Sequence, residues 1–341
     1  MKPLTLLVVA LSAALLAAAC RGPRSIQTTP EGRTVSGLMN SEREVQAYIA
    51  RALDPREFAI TVTLDEDNAP RFINAHRPRP GLQAVAPLAG PPHTRLSLVG
   101  GLINGRPARI LVDPTSAANW TSIERARAFG LSPLGPPLVY GVPEHVLDSI
   151  RGALSIAPTL QVDVMPVDAV LFYARAMRGP LWPLSRSAAA QEADFVVGWS
   201  FLRAFEYVRW DFAAAVLVFS TQPLNPDAAE HVLARLPLEK GYSALVVKGT
   251  LEGKTRPFLI DLAGDFQLAL DEADMAPVRQ VTLGDVVLRE LRATTLKEHG
   301  LGFPGLARLG LRAIGRFNVT LDNHRNELWI EPPTRTDASE P

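Results

Sequence analysis

From Leu96 onward, the chain alternates short apolar segments with turn residues. Runs of Val, Leu, Ile and Phe are interrupted by Gly, Pro and Asn, and few long helical patterns appear after residue 90. Apolar runs of this length, bounded by turn residues, are typical of β strands. The pattern therefore predicts a mostly β fold with few short helices.

Residues 41–94 form a separate extension before this region. Ser41 followed by Glu44 is a capping-box signature, and the apolar positions from Val45 to Leu53 that follow fall on one helical face until Pro55. Residues 58–64 alternate as a strand does, whereas residues 70–92 are rich in proline and show little pattern. We expect one short amphipathic helix, a strand, and a linker or strap across the surface.

An internal repeat is the most informative feature of the sequence. Residues 102–113 and 250–261 have the same layout, in which a glycine turn precedes an aspartate, Asp113 or Asp261, by eight positions. Each copy reads as a strand, a tight turn and an apolar return strand that ends in a carboxylate. The repeat predicts two matched hairpins, each with an acid at the end of a buried strand.

A second element recurs in the same order after each hairpin. Residues 195–198 lead to an apolar strand that ends at Asp211, and residues 308–311 lead to one that ends at Asp322. Both copies close with a further apolar strand, although the first holds an additional stretch around residues 141–187. Two matched elements in one order predict two related lobes, at residues 95–225 and 240–333.

These motifs resemble those of the retropepsin-like and pepsin-like aspartic peptidases. Each lobe in that family carries an apolar-apolar-Asp-Thr-Gly loop and later an apolar-apolar-Gly motif, which residues 111–116 with 196–198 and residues 259–264 with 308–310 match here. The resemblance implies two related aspartic-peptidase-like β-barrel lobes. It also implies that Asp113 and Asp261 share a proton and activate water, since two such carboxylates in contact cannot both ionise.

Neither loop reads Asp-Thr-Gly. Pro114 and Leu262 occupy the threonine positions, whose hydroxyls in the family bond across to the opposite loop, and Thr115 and Ala263 occupy the glycine positions. Because neither replacement can form the threonine bond, we expect a loosely held pair of acids. Loop residues near the site would be Thr115, Ser116, whose hydroxyl could bond Asp113, and Gly264.

Two of these assignments have plainer alternatives. A single aspartate after a strand commonly caps a turn by accepting backbone N–H groups, although two at matched places favour a dyad, functioning or decayed. Tyr140, beside Gly141, stands where pepsin-like enzymes carry a tyrosine on a hairpin over the cleft. A tyrosine in such a position also serves ordinary packing.

The N-terminus predicts export and anchoring. Lys2, an apolar run from Leu4 to Leu16 and three alanines resemble a bacterial lipoprotein signal ending at Cys20, and residues 20–40 read as a flexible tether. The apolar run is shorter than the roughly 20 residues that a spanning helix needs. Lipidation of Cys20 would hold the protein in the cell envelope, and Arg21 favours the outer membrane. Ordinary signal cleavage with an incidental cysteine is the alternative.

Composition excludes several other classes of function. Equal numbers of basic and acidic residues, 35 of each, give no electrostatic footprint for nucleic acid. The six histidines are scattered singly, so no zinc site and no cofactor are predicted. Two hypotheses remain: an aspartic endopeptidase acting on a peptide or unfolded protein, and a catalytically inactive lipoprotein that uses the same fold to bind a peptide or protein partner.

Overall fold

The computed structural model describes residues 42–64, 70–89, 97–135, 138–139, 153–175, 193–225, 231–270, 278–295 and 306–333. All of these residues belong to one unit, Gly37–Pro341. The helices in these ranges are short: α1 Glu42–Ile49, a 3-10 turn Pro55–Phe58, α2 Ile123–Ala128, α3 Trp199–Leu202 and α4 Leu311–Ile314.

Lobe 1 is a sheet whose central strands close on themselves. Its strands are β3 Arg77–Pro78, β5 Leu98–Ile103, β6 Arg106–Val112, β7 Trp120–Ser122, β8 Ser132–Pro133, β10 Ala153–Val162, β11 Met165–Arg175 and β12 Phe195–Val197. They lie in the order β3-β11-β7-β12-β6-β5-β10-β8, and an additional pairing of β11 with β10 closes a ring of six strands. Phe172 and Phe195 meet inside the ring at 5.0 Å between ring centroids.

Lobe 2 repeats the same arrangement. Its strands are β16 Val246–Leu251, β17 Lys254–Asp261, β18 Leu268–Leu270, β19 Val278–Leu283, β20 Val286–Leu291, β21 Ala293–Thr295 and β22 Ala307–Gly310, in the order β20-β19-β16-β17-β22-β18-β21. Strand β18 runs parallel to β21 as β7 runs parallel to β11 in lobe 1. Strands β20 and β21 together thus correspond to β11.

A third sheet takes strands from before, between and after the two lobes. Strands β4 Gln83–Pro87, β13 Tyr207–Asp211, β14 Val216–Ser220, β15 Ala234–Pro237, β23 Asn318–Asp322 and β24 Glu327–Glu331 lie in the order β15-β24-β23-β13-β14-β4. At its centre β13 pairs antiparallel with β23, which joins the two closing hairpins of the repeat. The buried side chains of Trp210 and Trp329 belong to this sheet.

The N-terminal extension is more ordered than its sequence indicated. The predicted helix is present as α1 and ends at Ile49, and strand β1 Thr61–Leu64 pairs with β2 Pro70–Ile73 and β9 Leu138–Val139. The predicted strap also contains β3 and β4, which pair with β11 and β14. The sequence predicted a linker or a strap here without strands, because the local pattern does not reveal the edge strands of other sheets that supply the backbone partners.

The structure confirms the predicted fold class: mostly β, with two related lobes and few short helices. Each predicted hairpin is present, as β5–β6 and β16–β17. The turn residues Asn104 and Gly105 have φ of 51° and 78°, and Glu252 and Gly253 have φ of 48° and 78°. Two consecutive positive φ values are what a two-residue hairpin turn requires.

Candidate active site

Asp113 and Asp261 lie at matched positions at the ends of β6 and β17. Each of these strands has a parallel neighbour, β12 or β22, that carries the later motif of the same lobe. The backbone N–H of Asp113 donates to the Val197 carbonyl at 2.9 Å, while Asp261 is in register with Gly310. Both aspartates are buried, with 0% and 5% of their surface exposed.

The carboxyl groups of Asp113 and Asp261 lie close enough for the charge of Asp261 to act on Asp113. Burial raises the pKa of Asp113 to about 7, and the negative charge of Asp261 adds to this rise. Burial likewise raises the pKa of Asp261. Because two carboxylates that share a buried site cannot both ionise readily, the pair holds one proton up to near-neutral pH.

Hydrogen bonds fix each carboxylate from its own loop. Asp113 Oδ1 accepts from the Thr115 backbone N–H at 2.9 Å and from the Thr115 hydroxyl at 2.7 Å, whereas Asp113 Oδ2 accepts no bond from a described residue. Asp261 Oδ1 accepts from the Ala263 backbone N–H at 3.2 Å. A Cβ at Gly264 would lie 2.8 Å from the Asp261 carboxyl carbon, so this close approach requires glycine.

Ser116 does not act as its position suggested. Its hydroxyl donates to the Ala118 carbonyl at 2.7 Å and accepts from Trp120 Nε1 at 2.7 Å. The single hydroxyl proton is therefore used within the loop, and Thr115 supplies the hydroxyl that reaches Asp113. The expected bond from Ser116 to Asp113 was wrong, because a buried carbonyl two residues further on competes for the same proton.

The loops are cross-linked between lobes by a pair of bonds that sequence reasoning missed. The Ser97 hydroxyl of lobe 1 donates to the Leu262 carbonyl at 2.8 Å, and the Leu245 backbone N–H of lobe 2 donates to the Pro114 carbonyl at 3.1 Å. Pro114 and Leu262 each follow an aspartate and occupy the threonine positions of the resemblance. Their carbonyl groups thus receive the contacts that their side chains cannot make.

These cross-links obey the symmetry of the repeat. Ser97 and Leu245 each stand sixteen positions before the aspartate of their own lobe. The carbonyl of Ser97 accepts from the Val112 N–H at 2.7 Å, and that of Leu245 accepts from the Ile260 N–H at 2.9 Å. In addition, Trp210 Nε1 donates to the Ser97 hydroxyl at 3.0 Å. The two acids are therefore held by bonds from both lobes, and not loosely as we expected from the sequence.

Gly198 and Gly310 allow each aspartate loop to contact the later motif of its own lobe. Trp199 N–H donates to the Ser116 carbonyl at 2.6 Å, and Leu311 N–H donates to the Gly264 carbonyl at 2.9 Å. A Cβ on Gly198 would approach the Ser116 carbonyl oxygen to 2.3 Å. Contacts this short are sterically forbidden, so the two motifs can meet only through glycine.

Arg308 is a functional candidate that the sequence contained but did not single out. It lies on β22, and its guanidinium Nη1 is 4.0 Å from Asp261 Oδ2, with 7% of each side chain exposed. Its positive charge favours the ionised form of Asp261 and opposes the rise in the pKa of both acids. The sequence feature that could have revealed Arg308 is its charge, because the matching motif of lobe 1 has the apolar Val196 at this position.

Two predicted residues, Cys20 and Tyr140, lie outside the described residues. Among the residues that are described, no group of three His, Cys, Asp or Glu side chains is placed to hold a metal ion. Within the same ranges, none of the helices combines the length and apolar character that crossing a membrane requires.

Comparison with known proteins does not identify a family for this chain. No protein-family model matches the chain, and no curated protein matches it. Among solved structures, it is similar to the crystal structure of basic 7S globulin from soybean, at 12% identity and a TM-score of 0.43, over 73% of this chain and 94% of that one. A similarity at this level carries no inference about fold or function.

Proposed function

We propose that this protein is an aspartic-peptidase-like hydrolase in which Asp113 and Asp261 activate water against an extended peptide. The observation that carries the proposal is the meeting of two buried carboxyl groups, one from each lobe, with the pKa of Asp113 raised to about 7. When the environment keeps one of two adjacent acids protonated and the other ionised, the first can act as a general acid and the second as a general base.

The surroundings of the two acids assign these roles. Arg308 lies beside Asp261 and favours its carboxylate, so Asp261 is the base that accepts a proton from the attacking water. Asp113 then holds the shared proton and donates it to the scissile carbonyl oxygen as the water oxygen bonds to the carbonyl carbon. Asp261 would then pass its proton to the amide nitrogen as the C–N bond breaks. A hydroxyl of the resulting diol would return a proton to Asp113 as the carboxyl group forms, which releases two peptides and restores the pair of acids.

Burial of the site favours a second candidate function. Asp113 has no exposed surface and Asp261 has 5%, and Arg308 weakens Asp261 as a base because it stabilises the carboxylate. A protein with these properties could retain the fold while binding a peptide or protein partner without cleaving it. This alternative predicts a folded protein without hydrolytic activity.

Cleavage of an unfolded protein substrate between pH 4 and 8 separates the two candidates. We expect activity that declines as the pH rises through about 7, where Asp113 loses its proton, and that is lost in Asp113→Asn and in Asp261→Asn. Asp168→Asn changes an exposed strand residue of lobe 1 and serves as the control. A folded wild-type protein that cleaves no peptide bond would leave the binding function instead.

We also propose that the protein is anchored in the cell envelope through a lipid on Cys20, since the small residues before this cysteine fit a lipoprotein signal. Cells fed a labelled fatty acid should incorporate label into the wild-type protein and not into Cys20→Ser. Label in both proteins, or in neither, would contradict anchoring at this residue.

A further inference from the structure

A pocket of about 660 Å³ is lined by the N-terminal extension, by lobe 1, by helix α3 with the segment that follows it, and by Ser243 just before β16 of lobe 2. The residues that matter for its chemistry are Phe72, His76, Ala118, Tyr173, Trp199 and Ser200. Neither Asp113 nor Asp261 lines it, so it is a different site from the pair of acids. Its volume is within the range of about 300–1,000 Å³ that is typical of pockets for small ligands.

His76 gives this pocket an unusual hydrogen-bonding capacity. Its side chain is buried, with 5% of the residue exposed, and neither ring nitrogen has a hydrogen-bond partner among the described residues. Its backbone N–H donates to the Ala169 carbonyl at 3.0 Å, and its φ of 51° lies in the left-handed region. Burial lowers the pKa of His76 to about 3, so the ring is neutral and offers one donor and one acceptor.

A second polar group of the pocket is without a partner among the described residues. The Ser200 hydroxyl is buried and accepts or donates no hydrogen bond there. Burial raises the pKa of Tyr173 to about 12, so its phenol also remains neutral. Because buried polar groups in proteins are nearly always bonded, the His76 ring and the Ser200 hydroxyl at one pocket indicate that a ligand provides their partners.

The walls of the pocket are aromatic, and the charges are at its rim. The Phe72 ring meets the His76 ring edge-on at 6.1 Å and the Tyr173 ring at 6.5 Å, while Trp199 is half-buried. The charged residues that line the pocket are Arg77 and Arg203, which are exposed, and Glu206, which is half-buried and 3.2 Å from His324. The buried part of the pocket therefore suits an apolar group with a few hydrogen-bonding atoms.

We propose that this pocket binds a short peptide segment, with an aromatic or aliphatic side chain between Phe72 and Trp199 and peptide groups bonded to His76 and Ser200. An extended peptide presents N–H donors and C=O acceptors along its backbone, so one peptide group can accept from the imidazole N–H while another donates to the unprotonated ring nitrogen. The proposal does not depend on catalysis by Asp113 and Asp261.

The pocket is also connected to the first aspartate loop. Ser200 N–H donates to the Ala117 carbonyl at 3.3 Å, and Trp199 N–H donates to the Ser116 carbonyl at 2.6 Å. A peptide in the pocket would thus contact the backbone segment that holds the loop of Asp113. Binding is nevertheless measurable on a protein without any hydrolytic activity.

The test uses N-acetyl-phenylalanyl-alanine amide as the probe. In wild-type protein labelled with ¹⁵N-histidine, we expect the peptide to shift one pair of imidazole nitrogen signals in a saturable way and to raise the melting temperature. That pair of signals should be missing from the spectrum of His76→Phe, which assigns it to His76. Affinity should be lost in His76→Phe and fall about tenfold in Ser200→Ala, as for one lost hydrogen bond. His231→Phe makes the same change at an exposed histidine and should bind as the wild type does.

Several outcomes would overturn the proposal. The first is a folded protein whose His76 signals do not respond to millimolar peptide, and the second is unchanged affinity in His76→Phe. Equal binding of 3-phenylpropanol, which lacks peptide groups, would overturn the assignment of a peptide ligand. If His76→Phe does not fold, Ser200→Ala and the imidazole shifts of the wild-type protein decide the question.

Discussion

Replacing Asp113 with asparagine should stabilise the protein at neutral and higher pH. The asparagine side chain keeps an Oδ1 acceptor for the two bonds from Thr115, and its amide N–H₂ takes the place of the protonated oxygen of the acid. Asparagine is therefore a mimic of protonated Asp113 that cannot ionise. The comparison isolates the cost of the buried charge.

The magnitude follows from the pKa of the acid. Burial and the charge of Asp261 raise the pKa of Asp113 from 3.8 to about 7. Between these values the folded protein binds more protons than the unfolded chain, so the stability of the wild type falls as the pH rises. The loss begins near pH 4, is complete above pH 7, and amounts to roughly 4 kcal/mol at about 1.4 kcal/mol per pKa unit.

Urea-induced unfolding at several pH values from 4 to 8 measures this difference. We expect the wild type and Asp113→Asn to have similar free energies of unfolding at pH 4, and the variant to be the more stable at pH 8. Asp168→Asn, at an exposed position, should run parallel to the wild type throughout. Parallel curves for Asp113→Asn as well would refute the raised pKa and, with it, the shared proton of the two acids.

Three further substitutions test the contacts around the acids. Arg308→Met leaves Asp261 buried without its cation and should lower the free energy of unfolding by about 3 kcal/mol at pH 7. The loss should be smaller at pH 4, where Asp261 can take up a proton, and equal losses at the two pH values in urea unfolding would contradict this. Ser97→Ala removes the bond between lobes and should lower the free energy of unfolding by about 1–3 kcal/mol, whereas an unchanged midpoint would show that the bond contributes nothing. Gly198→Ala places a Cβ 2.3 Å from a carbonyl oxygen and should lower the melting temperature, while Gly100→Ala, with nothing within 4 Å, should be tolerated; equal tolerance would rule out the close approach.

The sequence carried enough information to locate the two acids within a repeat. The turns at Asn104-Gly105 and Glu252-Gly253, with apolar return strands after them, are local features that the structure reproduces as hairpins. Strand alternation and left-handed turn residues depend on neighbours in the chain, so they are visible without a fold. Equal positions in the two copies singled out Asp113 and Asp261, and the pairing of these acids was what the resemblance to aspartic peptidases implied.

The extension before lobe 1 contains strands that the local sequence pattern does not predict. Residues 70–92 carry prolines and no clear period, yet β3 and β4 form there because β11 and β14 offer free edges. The same segment places His76 against the first lobe. An edge strand depends on the sheet that receives it, and no local pattern encodes that sheet.

Residues close together in the chain encode the strand-rich fold and the duplicated hairpins that end in Asp113 and Asp261. Contacts between distant segments decide how these acids are held: the bond from Ser97 in lobe 1 to the loop of Asp261, the bonds from Thr115 in place of Ser116, and the charge of Arg308. A hairpin is fixed by residues a few positions apart, whereas the pKa of a buried carboxyl group depends on charges and donors that only the packing of distant segments brings to it.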